Sequence, residues 1–273
     1  MGIFRIKRRI VLLLAIIAVT VLTGFSQQRL VVVGGGARPA ESLARFVEWS
    51  GGREKARILI VTWASGVADE SFDALRKDFE KYPVAAFEHA ATAPLDAAKR
   101  KLFLEQLNAA TGVFFSGGDQ NRIMEVLKDD ELYRLLREKY SAGTAFGGTS
   151  AGAAAMSTPM MTGENDLTVI DGKKVGTRQG LSLVPNAIFD QHFIKRQRQN
   201  RLFGLVLENP KMLGVGIDED TALLVRDNRF AEVAGASYVM IVDGSGKKAT
   251  FMINLLKAGE KFDLVKRKVI SKK

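Results

Sequence analysis

Residues 144–157 read TAFGGTSAGAAAMS, in which Gly148-Thr149-Ser150-Ala151-Gly152 forms a G-x-S-x-G pentapeptide between a small-residue run and an alanine-rich stretch. In a strand-turn-helix setting this spacing puts a serine on a sharp turn. Only small neighbours there avoid the strand and the helix, and the hydroxyl is left exposed over a helix amino terminus. A serine hydroxyl is a poor nucleophile at neutral pH and needs an adjacent base, ordinarily a histidine oriented by a carboxylate. The chain has two histidines and no cysteine, which excludes thiol nucleophiles, disulfides and thiolate metal sites. Two histidines are also too few for most zinc sites, so no metal or other cofactor is expected. His192, in FDQHF after the run NAIFD, stands where a loop at the carboxyl edge of a sheet would begin and is the preferred base. His89, in AFEHAAT, reads as a strand-end polar residue. The run LGVGI is followed by three acids, Asp218, Glu219 and Asp220, and spacing does not choose among them. A carboxylate beside the histidine would hold its titration above the ordinary value of ~6.5. A second glycine pair, Gly117-Gly118 in VFFSGGDQ, also follows an apolar run, so the N–H groups of Gly118 and Ala151 could together hold an oxyanion.

Loops of this kind converge only if parallel strands deliver them to one edge. From Arg29 onward, short apolar runs alternate with segments of helical period, which predicts an α/β fold with a mostly parallel sheet flanked by helices on both faces. Residues 30–33, 58–61, 84–87, 112–115 and 143–146 read as strands. Between them, Leu43, Phe46 and Val47, then Phe72, Leu75 and Phe79, mark the buried faces of helices. Residues 186–190 and 213–217 are further strands, and 221–225, 230–233 and 238–242 predict an antiparallel finish turning at Asp227-Asn228. The polar, glycine-rich stretch 163–180 reads as a surface hairpin of the length that covers sites. Gly34-Gly35-Gly36 is no dinucleotide fingerprint, because its third position falls on Pro39; it reads as a tight turn lining a cleft. No repeat or linker divides the body, so residues 27–273 are expected to form one domain.

The net charge of +10 sits at the ends: four positive charges in the first 26 residues and a net of seven in the last 27, with the stretch between close to neutral. That distribution lacks the broad basic face that duplex binding requires, and no nucleic-acid partner is expected. MGIFRIKRR followed by the 13-residue run IVLLLAIIAVTVL and then TGFSQQ fits a signal peptide over residues 1–26, cleaved after Ser26. The run is short of the ~20 residues of a membrane span, which favours a secreted or periplasmic protein over a membrane-anchored one. Contact with a membrane is then expected only through an uncleaved signal segment.

The motifs VVVGGG, FFSGGDQNR, GGTSAGA, FDQHFIKRQRQNRL, GVGIDEDTAL and GEKFDLVKRKV resemble, over residues 29 to about 268, cyanophycinase and its relatives. These are serine peptidases related to the aspartyl dipeptidases, with a class I glutamine-amidotransferase-like fold. FDQHF with arginines at 196, 198 and 201 is the most specific part, because aspartyl dipeptidases lack that run. The resemblance implies Ser150 as nucleophile, His192 as base and, of the three acids, Glu219 as third member. It also implies a pocket of Gln120, Asp190, Gln191, Arg196, Arg198 and Arg201, and a polymer substrate, cyanophycin, whose aspartate backbone carries arginine on each β-carboxyl and is released as β-aspartyl-arginine dipeptides. Such a unit presents a guanidinium and a carboxylate, which Asp190 and the arginines are expected to meet. Read as a helix, residues 194, 198 and 201 share one face, so not all three arginines need enter the cleft. The chain order Ser, His, acid separates this protein from ordinary α/β-hydrolases. Another β-aspartyl or Asp-directed peptidase, and an idle binding module using the same cleft, are the alternatives; a homodimer is left open.

Overall fold

The computed structural model describes residues 27–246 and 250–271, so the segment read as a signal peptide lies outside the described residues. The first half of the chain alternates strand and helix: β1 (Arg29–Val33), α1 (Ala40–Trp49), β2 (Arg57–Val61), α2 (Ala68–Phe79), β3 (Ala86–His89), α3 (Ala97–Ala109), β4 (Gly112–Phe115), α4 (Gln120–Val126), α5 (Asp130–Ser141), β5 (Ala145–Thr149) and α6 (Ala151–Ala154). A hairpin of β6 (Met160–Asn165) and β7 (Val175–Arg178) then leads to β8 (Ala187–Gln191), α7 (Gln199–Glu208) and β9 (Leu213–Ile217). The chain closes with β10 (Thr221–Arg226), β11 (Phe230–Gly235), β12 (Val239–Asp243), β13 (Met252–Leu256), β14 (Lys261–Asp263) and β15 (Lys268–Ile270).

The main sheet runs β15-β14-β11-β10-β1-β5-β4-β2-β3, with β1, β5, β4, β2 and β3 parallel and the strands beyond β1 antiparallel. Alternate residues of β1 face opposite cores, as a pleat with a period of two requires. Val31 and Val33 pack with Leu43, Phe46, Leu75 and Phe79 of α1 and α2. Leu30 and Val32 pack instead with Phe103, Leu136 and Phe189 of α3, α5 and β8. Both faces of the parallel half are therefore covered, and the inner strands β1, β2 and β4 run apolar after their first residue, as buried parallel strands do, while the edge strand β3 carries Glu88 and His89.

Three expectations shift. The third strand starts at Ala86 rather than Val84, because the parallel ladder aligns Ile58 with Phe87 and Ile60 with His89. Of the three strands foreseen as an antiparallel finish, β10 and β11 pair in the main sheet, but β12 leaves it to pair with β9. β9 alternates large residues with glycine: Val215 and Ile217 join the main core, while a Cβ on Gly216 would run into the Phe193 ring. That strand is covered on both faces and takes β8 and β12 as neighbours in a second sheet, β13-β12-β9-β8. The stretch read as a helix from residue 194 is a run of turns through Gln197, where φ is +51°, and α7 begins only at Gln199.

Candidate active site

β1 and β5 run parallel with Val33 beside Thr149, so the Gly34–Gly36 turn and the residue after β5 emerge side by side at the carboxyl edge. Ser150 sits there with φ +53° and ψ −112°, a backbone conformation costly for a residue with a side chain and held by its surroundings. The tight strand-to-helix return explains the flanking glycines: a Cβ on Gly152 would lie 2.5 Å from the Phe115 carbonyl oxygen, and one on Gly148 would lie 2.7 Å from the Gly152 backbone.

His192 follows β8 in the second sheet and reaches the main sheet through its own N–H, which donates to the Gly34 carbonyl at 2.6 Å. Its ring packs against Gly35, where any Cβ would overlap the imidazole, so that glycine is what admits the histidine. Nε2 lies 2.8 Å from Ser150 Oγ and Nδ1 lies 2.6 Å from Glu219 Oε1. With Nδ1–H donated to Glu219, Nε2 is free to accept the serine proton. Burial is the largest influence on His192 and pushes its pKa below the ordinary value; the Glu219 hydrogen bond and charge oppose this, while Arg196 and Arg198 add to it. The expected upward shift from the carboxylate is thus overturned.

The structure gives each of the three acids a separate task. Asp218 accepts the backbone N–H groups of Ile194 and Lys195 at 3.0 and 2.9 Å, holding the turn after His192. Asp220 accepts the Ala37 N–H at 2.6 Å and its own N–H donates to the Gly35 carbonyl at 2.9 Å, holding the turn after β1. Glu219, between them, faces the imidazole. Neither the Gly118 nor the Ala151 N–H has an acceptor among the described residues, and each belongs to a turn next to Ser150. His89 stands apart on β3, with β4 and β2 between its strand and β5; its Nε2 is 2.8 Å from Thr62 Oγ1 and its ring stacks on Phe72.

The pocket residues divide differently from the expectation. Asp190 and Arg201 bind each other: Arg201 Nε donates to Asp190 Oδ2 at 2.8 Å, its Nη2 donates to Oδ1, and the two side chains are 0% and 3% exposed. The remaining guanidinium edge donates to Asn165 of β6. Asp190 and Arg201 therefore tie β8 to α7 and to the hairpin, and neither is free to meet a substrate charge. Gln120 is likewise committed, donating its amide to the Met161 carbonyl at 2.7 Å, beside Asn121, which donates to the Thr162 carbonyl at 3.0 Å. Asn121 of α4 and Asn165 of β6 escape the sequence reading, since single polar residues carry no periodic signal, and Asp218 and Asp220 appear there only as alternatives to Glu219 for the acid beside the histidine. Arg196 is exposed on the turn, because the chain is not helical there.

Arg198 and Gln191 keep the character of binding groups. Arg198 Nη1 donates to the Gln191 carbonyl and to its side-chain oxygen at 2.7 and 2.8 Å, while its charge lies 3.8 Å from Asp190, already taken by Arg201. Burial, with repulsion from Arg201 and Arg196 against attraction from Asp190, lowers its pKa to about 10. It remains a cation at neutral pH, poorly compensated and beside His192, which a ligand carboxylate would relieve.

Residues 30–233 match the family model described as Peptidase family S51. Cyanophycinase of Geminocystis herdmanii is 37% identical over 151 residues, which cover 55% of this chain and 56% of that protein, so the chain spans little more than half the length of this relative. Cyanophycinase of Synechococcus elongatus is 32% identical over 219 residues, 78% of this chain and 68% of the relative. A crystal structure of a peptidase from an acI-B1 Actinobacterium superposes with a TM-score of 0.67 at 22% identity, covering 88% of this chain and 98% of that one, a likeness of fold alone.

Proposed function

The chain belongs to peptidase family S51 and is a serine-type peptidase, and from that premise we propose that it cleaves the aspartate backbone of a cyanophycin-like polymer, or of another β-aspartyl peptide bearing arginine, through an acyl-enzyme. The observation that carries this reading is the hydrogen-bonded chain Ser150–His192–Glu219 lying next to the under-compensated Arg198. In the first step Ser150 Oγ bonds to the scissile carbonyl carbon as its proton passes to His192 Nε2. The Gly118 and Ala151 N–H groups receive the charge that develops on oxygen. The C–N bond then breaks, and His192 returns the proton to the leaving nitrogen. Water, deprotonated by the same histidine, attacks the ester and frees Ser150. Glu219 keeps the imidazole in the required tautomer and offsets its charge while it is protonated.

Arg198 and Gln191 are the groups offered to a substrate carboxylate and amide, and the Asp190–Arg201 pair positions them. Incubation of the purified protein with cyanophycin, followed by mass spectrometry of the soluble fraction, tests the proposal: β-aspartyl-arginine dipeptides are expected from the native protein and not from Ser150→Ala. Release of no dipeptide, together with hydrolysis of a plain α-linked Asp-X dipeptide, would replace the polymer by that substrate. We also propose export, for which the basic start and apolar run of residues 1–26 are the support; a mature amino terminus near Gln27, read from protein recovered outside the cytoplasm, is the expected result.

A further inference from the structure

A large hollow lies apart from the Ser150 cleft. β2 leads to α2, whose Leu75 and Phe79 pack on one face of the main sheet. Its sheet neighbours β4 and β3 lead to α4 and α3, whose Ile123 and Phe103 pack on the other face. The loops therefore part above the carboxyl end of β2, and such a parting leaves the crevice in which open α/β sheets bind ligands. A hollow of about 500 Å³ opens there, within the ~300–1,000 Å³ of small-molecule sites. Ser150, His192 and Arg198 are not among the residues that line it.

Its walls are apolar and held in place. Trp63 is 2% exposed, lies against the Phe103 ring with centroids 4.6 Å apart, and donates its indole N–H to the Ala91 carbonyl at 2.8 Å. Leu95 and Val126 are half-buried against the main core and also line the hollow, together with Pro94 and Leu132. Four charged residues complete the lining, and three of them are spent on partners. Arg100 donates to Asp129 at 2.6 Å and also to Glu131. Glu125 accepts from Arg178 at 3.0 Å and pairs with Lys128. Arg122 alone has no hydrogen bond or ion pair among the described residues. A Cβ on Gly66 would lie 3.3 Å from its Nη1, so the guanidinium sits against the loop that follows β2.

This lining selects a ligand class. The acids are already neutralised, which leaves nothing to take the guanidinium of an arginine-bearing substrate. One unspent cation over an apolar wall calls for a single carboxylate on an apolar body, since the planar fork of an arginine accommodates a carboxylate through two parallel hydrogen bonds. We propose that this hollow is a binding site, separate from the catalytic cleft, for a small monocarboxylate with an aromatic or branched apolar body. The carboxylate pairs with Arg122 and the body lies against Trp63.

The probe for the test is 4-phenylbutyrate, with 4-phenylbutanamide as its uncharged counterpart. Trp49 and Trp63 are the only tryptophans, so in Trp49→Phe the indole emission reports the hollow alone. Calorimetric titration of the native protein measures the same affinity without that substitution. Saturable binding of the acid is expected, with the amide about tenfold weaker, the effect of losing a charge-assisted contact. Arg122→Gln should raise the half-saturating concentration of the acid by a similar factor, whereas Arg198→Gln, in the catalytic cleft, should leave it unchanged. Val126→Asp, which puts a negative charge into the apolar wall, should abolish binding. Thermal unfolding checks that each variant is folded, and the exposed Arg122 can be replaced without disturbing the core if Val126→Asp does not fold. Absence of saturable binding in the millimolar range, equal binding of acid and amide, or dependence on Arg198 rather than Arg122 would overturn the site and leave the peptidase reading intact.

Discussion

Asp190→Ala tests whether the carboxylate beside the base is a structural group or a ligand for substrate. In the native protein Asp190 and Arg201 are 0% and 3% exposed and share two hydrogen bonds, with Asn165 on the third guanidinium edge and Arg198 3.8 Å from the same carboxylate. Removing the acid strands the Arg201 guanidinium without a counter-charge and leaves Arg198 facing it across the vacated space. Breaking a buried pair from one side costs ~3–5 kcal/mol. Each kcal/mol moves the midpoint of a chain this size by ~2–4 °C, so a drop of ~6–20 °C is expected. Thermal unfolding followed by far-ultraviolet circular dichroism, with urea titration beside it, gives both numbers. Gln191→Ala, which leaves the pair intact, should unfold within ~1 kcal/mol of the native protein. The double variant Asp190→Leu with Arg201→Met should recover most of the loss, because an apolar pair of similar volume replaces a buried ion pair at little cost. If Asp190→Ala retains the native midpoint while hydrolysis of arginine-bearing substrates collapses, the pair is not structural and Asp190 meets the substrate directly.

Ser150→Ala should lower hydrolysis by ~10⁴-fold or more with a native unfolding midpoint, since one hydroxyl leaves an accessible turn; residual activity within a hundredfold of native would place the nucleophile elsewhere. The rate profile carries its own sign: His192 must be neutral to act, burial lowers its pKa, and kcat/KM should therefore hold as pH falls past ~6.5 and decline only below it. An acid limb centred above ~6.5 would mean that Glu219 outweighs burial. Gly152→Ala should destabilise by ~1–3 kcal/mol and disturb the elbow, because its methyl meets the Phe115 carbonyl at 2.5 Å; an unchanged urea midpoint would contradict that geometry.

Much of the site was legible because its chemistry is local in the chain. The G-x-S-x-G turn needs small residues at fixed offsets, and with no cysteine and two histidines the choice of base was narrow. The alternating apolar runs and helical periods foretold the β1 to β5 half of the fold, where each helix returns over the sheet its strand has just joined. The hairpin over 163–180 showed itself by composition and is observed as β6 and β7.

What stayed hidden depends on contacts between distant residues. Spacing treats Asp218, Glu219 and Asp220 alike; they separate only when the β1 turn, the His192 turn and β10 meet and each carboxylate finds its own N–H or imidazole partner. The departure of β12 for β9 likewise turns on which core its side chains fill. The arginine run shows the division most sharply. Residue types at 190–201 foretold a charged cleft. Positive φ at His192 and Gln197, which no helical spacing anticipates, sends Arg196 to solvent, locks Arg201 onto Asp190 and leaves Arg198 beside the base. The sequence by itself determined the chemical groups and the parallel scaffold, because those follow from residue type and period. Tertiary structure alone decided which charges are spent on each other and which remain for a substrate, because a buried charge binds whichever partner the packing brings within reach.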